Sequence, residues 1–174
     1  MPAAASASLD ALNGMDRPAF TAALGGIFES SPWVAERAWA ARPFRSVDAL
    51  HAAMVRAVQA ASPERQRALL RAHPDLAGKA ARVRAVTASS VAEQASAGLD
   101  RLTDDEYERF GRLNAAYRDR FGFPFIIAVR RHDKAEILAA FEARLRNTAE
   151  HEREAALAQV FAITRLRLGA AVGG

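Results

Sequence analysis

His73, Glu93 and Arg130 are the side chains whose types and settings suit acid–base work on a small anionic molecule. His73 lies in the stretch RAHPDLAGK, residues 71–79, directly before Pro74. Proline disfavours the α conformation in the residue that precedes it. His73 is therefore expected in the last turn of a helix or just past it, with its imidazole outside the regular ladder. An unperturbed imidazole titrates near pH ~6.5, so it can take or give a proton at working pH. The bland alternative is a structural histidine at a helix end.

Glu93 lies in SSVAEQASAGLDRL, and two readings of it stand side by side. Ser90 and Glu93 have the S-x-x-E spacing of a capping box, which alone accounts for both. Alternatively, Glu93 and Gln94 sit beside backbone N–H groups at a helix N-terminus, a setting that suits an anionic ligand. Arg130 ends the apolar run FGFPFIIAVRR. It is either a surface charge or a guanidinium held by a stiff segment to grip a carboxylate or ureido group in bidentate fashion. His51 lies inside a helical pattern, and His132 and His151 lie in charged stretches, so these three read as structural or surface residues.

Other chemistries lack their residues. With no cysteine, disulfides, thiolate metal sites and cysteine nucleophiles are excluded. There is no His-x-x-x-His pair and no phosphate-binding glycine loop, so no metal site is expected. The net charge of +4 invites a nucleic-acid reading, but the arginines are interleaved with acids, as in DRLTDDEYERFGRLNAAYRDRFG. Interleaved charge marks a solvated helix face. The opening residues have neither the basic region nor the apolar core of a signal peptide, and no apolar run approaches the ~18 residues of a membrane span. A protein of the cytoplasm is expected.

The elements that must position these residues are helices. Asp16 caps a first helix with Pro18 in its opening turn, and Ser31 with Pro32 repeats that logic up to Pro43. Val47, Leu50, Met54 and Val58 line one helix face, and SPERQRALLRA delivers the chain to His73. Thr103 and Glu106 form a capping box ahead of a stripe of Phe110, Leu113, Tyr117 and Phe121. Two further helices carry Ile137, Leu138, Phe141 and Leu145, then Leu157, Val160, Phe161 and Thr164.

One segment breaks the pattern. FGFPFIIAVRR reads as a strand interrupted by Pro124, yet no second strand is available to pair with it. An unpaired buried backbone is costly, so its amides and carbonyls are expected to serve something other than a sheet, a ligand being one candidate. The expected fold is all-α: a single-domain bundle of about seven to nine helices over 11–170, with an extended buried segment near 123–130 and a flexible tail over 1–10. A chain of 174 residues is enough for one domain with a sizeable core.

The motifs SPWVAERAW, LLRAHPDLAGK, SSVAEQASAGLDRL, LNAAYRDRFGFPFIIAVR and KAEILAAFEARLRN occur in that order over roughly residues 16–168. Together they resemble the 2-oxo-4-hydroxy-4-carboxy-5-ureidoimidazoline (OHCU) decarboxylase family of urate degradation. The resemblance implies an all-α homodimer that makes (S)-allantoin and CO2 with neither metal nor organic cofactor. It implies that His73 is catalytic, with Glu93 and Arg130 beside it. It makes Pro74, Ser90, Val91, Ala92, Glu93 and Gln94 substrate-binding, and makes Phe125, Ile126, Ile127, Ala128 and Val129 a backbone wall against the ureidoimidazoline. The rival readings are a small basic all-α nucleic-acid-binding module and a helical interaction module. Both leave HPDLAGK and FGFPFIIAVR without a purpose.

Overall fold

The structure is a computed structural model that describes residues 6–77 and 88–173. Gly78 and Lys79 of the HPDLAGK stretch, and residues 1–5 of the expected tail, lie outside the described residues. Among the described residues there are nine α-helices: α1 Leu9–Gly14, α2 Arg17–Leu24, α3 Trp33–Ala38, α4 Val47–Gln59, α5 Pro63–Arg71, α6 Ala88–Ser96, α7 Asp104–Phe121, α8 Lys134–Arg144 and α9 Ala149–Ala171. Short 3-10 turns follow at Trp39–Ala41 and Val129–Arg131. The all-α class read from periodicity holds.

Side-chain caps explain several of the starts. Asp16 accepts from the Ala19 N–H at 2.9 Å, Ser62 from Arg65 at 3.2 Å and Thr103 from Glu106 at 3.2 Å. Each satisfies a backbone donor that has no partner within its helix, typically worth ~1 kcal/mol. Ser31 does not cap as expected. Its buried hydroxyl donates back to the Glu29 carbonyl at 2.9 Å, and α3 starts after Pro32 with no side-chain cap. Ser30 adopts φ 47°, which turns the chain there, and the buried Glu29 carbonyl takes the hydroxyl.

The expected tail also needs correction. Ala7–Ser8 (β1) pairs in parallel with Val172–Gly173 (β2), and the Ser8 hydroxyl accepts from the Ala11 N–H at 3.1 Å to cap α1. Residues 7–10 are thus bound by backbone pairing and a cap.

The chain falls into two compact units, Met1–Ala72 with Phe161–Gly174, and His73–Val160. In the first, α3 packs against α2 and α4, and Leu50, Met54 and Val58 are fully buried while Val47 is half-buried. The guanidinium groups of Arg17 and Arg42 lie 5.0 and 4.1 Å from the centre of the Trp39 ring, and the indole donates to the Met15 carbonyl at 2.9 Å. His51 bonds Thr164 at 3.0 Å; burial first, then the Arg165 charge, holds its pKa below the ordinary value, consistent with a structural role.

The second unit carries the expected site. Phe110, Tyr117, Phe125, Ile137, Phe141 and Val160 are fully buried in it. Burying such a side chain contributes roughly 1.5–3 kcal/mol. Leu113, Phe121, Leu138 and Leu145 are half-buried at the rims of the same stripes. Gly122 ends α7 at φ 78°, a left-handed conformation glycine takes without a side-chain clash, and donates to the Arg118 carbonyl at 2.8 Å. Pro124 then blocks any helical restart at Phe123. Residues 123–128 run on as irregular backbone with every residue buried. The strand-like run is a buried segment with no sheet partner among the described residues, as expected, but only as far as Ala128. The stretch expected to reach 130 ends in the Val129–Arg131 3-10 turn, with Arg130 exposed.

Candidate active site

His73 lies two residues past the end of α5 and is only 6 % exposed. The turn that follows it is pinned from two helices. From α6, the Gln94 carboxamide accepts from the Ala77 N–H at 2.9 Å and donates to the Asp75 carbonyl at 3.5 Å. From α7, Asn114 donates to the Leu76 carbonyl at 2.8 Å, and Arg118 pairs with the Asp75 carboxylate at 2.8 Å. Ala77 adopts φ 51°, a conformation that costs a non-glycine residue about 1–3 kcal/mol and persists only where its surroundings impose it. Two side chains, Gln94 and Asn114, therefore hold the backbone of 75–77 while Arg118 holds the Asp75 side chain, and that fixes where Pro74 and His73 sit.

The capping-box reading of Ser90 and Glu93 does not hold. Helix α6 already includes Ala88, so Ser90 lies within the helix, and Glu93 and Gln94 lie farther along it rather than at its N-terminus, against both sequence readings. Sequence alone placed the helix start too late. Ser90 and Gln94 are buried, Val91 and Glu93 half-buried and Ala92 exposed. Helix α6 packs against the Val129–Arg131 turn, which brings the Glu93 helix and the Arg130 turn together. The same helix holds the turn after His73 through Gln94. Arg130 is exposed and makes no ion pair or hydrogen bond among the described residues. His132 pairs with Glu136 at 3.1 Å, in keeping with a surface role.

The wall over 125–129 is braced by residues that the sequence reading did not single out as polar partners. Arg144 of α8 donates to the Ile126 carbonyl, and its guanidinium lies 4.4 Å from the Phe125 ring centre. The Phe125 ring stacks on Phe141, 3.9 Å between centres and 9° between planes. Glu152, fully buried on α9, accepts from Arg144 Nε at 2.7 Å, from the Tyr117 hydroxyl at 2.6 Å and from Asn147 at 2.9 Å. Burial, and then the bond to Glu152, raises the Tyr117 phenol above its ordinary pKa, so it stays a donor. Farther along α9, Gln159 accepts from the Ala128 N–H at 3.0 Å.

These contacts leave two residues of the 125–129 segment, Phe125 and Ile127, with neither backbone group hydrogen-bonded among the described residues. The Ala128 carbonyl accepts from the Arg131 N–H at 3.0 Å and the Val129 carbonyl from His132 at 3.1 Å. Among the described residues, neither the N–H nor the C=O of Ile127 has a hydrogen-bond partner, although the residue is 5 % exposed. Leaving such groups buried without a partner costs roughly 1–3 kcal/mol each. Among the described residues no three acidic or histidine side chains gather as a metal-ligand group.

Comparison with known proteins gives a consistent result. The family model for OHCU decarboxylase matches residues 13–169. A 2-oxo-4-hydroxy-4-carboxy-5-ureidoimidazoline decarboxylase of Haloferax volcanii is 50 % identical over 161 residues, 92 % of this chain and 94 % of that one. The uric acid degradation bifunctional protein PucL of Bacillus subtilis is 45 % identical over 161 residues, which are 92 % of this chain and 32 % of that longer protein. The crystal structure of (S)-allantoin synthase superposes with a TM-score of 0.74 and 36 % identity, covering 95 % of this chain and 54 % of that one.

Proposed function

The chain belongs to the OHCU decarboxylase family, and from that premise we propose how its site divides the work of the reaction. The enzyme is a carboxy-lyase of urate degradation: it removes CO2 from 2-oxo-4-hydroxy-4-carboxy-5-ureidoimidazoline and leaves (S)-allantoin. The substrate carries a carboxylate and a hydroxyl on one ring carbon, next to a C=N carbon that bears the ureido group. As the bond to the carboxylate breaks, its electron pair forms a double bond to the neighbouring carbon, and the C=N pair moves onto nitrogen, which is protonated. The resulting enol becomes the ring carbonyl as the ureido-bearing carbon takes up a proton from one face. The ring itself is the electron sink.

His73 is the acid–base group at the reacting carbons. The observation that carries this role is its setting: a buried imidazole outside the helix ladder, followed by a turn that Gln94, Asn114 and Arg118 hold in place. An acid–base group works only when its position is fixed relative to the bond being broken. Glu93 orients His73 or accepts from the substrate hydroxyl. Pro74 and the 90–94 segment border the ring, and Arg130 holds the urea-like edge beside the wall of 125–129. A homodimer in the cytoplasm, working without metal or organic cofactor, is the setting that the family resemblance carries.

Glu93→Gln tests the division of labour. Ser90 is already inside α6, so the exchange leaves the start of that helix alone. The expected result is a 10- to 100-fold drop in kcat, the usual worth of a hydrogen bond to a charged group, with an unchanged melting temperature. A lowered melting temperature with turnover intact would assign Glu93 to the fold instead.

A further inference from the structure

We infer that Arg144 and Gln159 are positioning residues of the decarboxylation, and that they act by fixing the two peptide planes on either side of Ile127. The inference rests on the proposed role of 125–129 as the substrate wall. A trans peptide is planar, and its C=O and N–H point in opposite directions. The Ile126 carbonyl and the Ile127 N–H belong to one plane; the Ile127 carbonyl and the Ala128 N–H belong to the next. Arg144 holds the first plane by its carbonyl and Gln159 holds the second by its N–H. Each bond therefore directs the opposite group, the N–H or the C=O of Ile127, away from the helix that holds it.

Those two Ile127 groups have no partner among the described residues; Phe125 shares that state, but among the described residues no side chain fastens either of its peptide planes. In extended backbone, the conformation this inference takes for Ile127, the N–H and C=O of one residue face the same side, as they do when a residue exchanges both bonds with an opposite strand. Held so, they form a donor–acceptor pair complementary to the C=O and N–H on one edge of a ureido group or cyclic amide. Such a pair reads its ligand only while both planes keep their rotation. Arg144 is itself braced: Glu152 takes two of its nitrogens, and its face covers Phe125. Gln159 is half-buried and carries no such load, so it is the cleaner probe.

The test compares Gln159→Leu, Gln159→Glu and Ile127→Pro, with initial rates measured over graded substrate generated in place from urate and an unfolding midpoint for each variant. Leucine removes the acceptor of the Ala128 N–H. The expected result is a rise in KM of about tenfold, the worth of one hydrogen bond, with kcat nearly unchanged. An ionised glutamate is still an acceptor and should restore KM to near the wild-type value. Proline removes the Ile127 N–H itself and probes the wall directly. If Ile127→Pro raises KM while Gln159→Leu leaves it unchanged, the wall stands and the fastening role is overturned. If neither raises KM, the wall reading fails and takes the inference with it. A lowered midpoint for Gln159→Leu without a change in KM, or a glutamate that fails to restore it, also overturns the role.

Discussion

His73→Asn should lower kcat by about 10²–10⁴, the range lost when a positioned acid–base group is removed. Asparagine keeps a planar polar side chain but has no group that takes up or releases a proton at equilibrium near neutral pH. The turn after His73 should survive the exchange, because its hydrogen bonds come from Gln94, Asn114 and Arg118. KM should change little, since a group that acts on the breaking bond contributes chiefly in the transition state. Stopped-flow turnover and a urea unfolding curve, both run on wild type and variant, check the two halves. Wild-type turnover in the variant would remove His73 from the chemistry.

Glu152→Ala should destabilise the fold more than any surface substitution. Glu152 is fully buried and accepts from Tyr117, Arg144 and Asn147. Removing one partner of a buried ion pair strands the other charge and costs about 3–5 kcal/mol. The Arg144 side chain is only 13 % exposed, and the Tyr117 hydroxyl loses its acceptor as well. Exchanging both charges, as Arg144→Met with Glu152→Leu, should recover most of that loss, because no stranded charge remains. The pair of measurements is a urea midpoint for the single and the double variant. A loss below ~1 kcal/mol for Glu152→Ala would mean that the network behaves like an exposed ion pair.

The helical periods and the caps at Asp16, Ser62 and Thr103 are legible in the sequence because they depend on a few adjacent residues. So is the anomaly of FGFPFI, since glycine, proline and aromatic residues together forbid a helix there. Local rules fail where a tertiary partner competes. Ser31 has the pattern of a cap and bonds a buried carbonyl instead, and Ser90 has the pattern of a box and lies inside α6. The pairing of Ala7–Ser8 with Val172–Gly173 joins opposite ends of the chain, and no window of sequence contains both. The division into two units leaves no linker to see, because one boundary falls just after α5 and the other inside α9.

The braces of the site left a fainter trace. Asn114 sits at i+4 from Phe110 on the buried stripe of α7, where an apolar residue is the rule. Arg144 follows Ile137 and Phe141 at i+7 and i+3 on α8, and Glu152 precedes Ala156 and Val160 at four and eight residues on α9. A polar residue on the buried face of a helix must find a partner inside, and that exception to the stripe was the available signal. It identifies the residue but not the partner, since Asn114 with Leu76 and Arg144 with Ile126 lie far apart in sequence. The basic composition, by contrast, says little about function. Arginines pair with acids at Arg109–Glu142, Arg118–Asp75 and Arg165–Asp48.

Circular dichroism of the product tests the central claim most directly. Urate is oxidised by urate oxidase in the cuvette, 5-hydroxyisourate hydrolase converts the product to the ureidoimidazoline, and this protein is added last. Spontaneous decay of that compound gives racemic allantoin, which leaves no lasting signal. A site that delivers one proton to one face should build a persistent signal of (S)-allantoin. A solution that ends optically silent, with allantoin formed only as the racemate, would contradict the account.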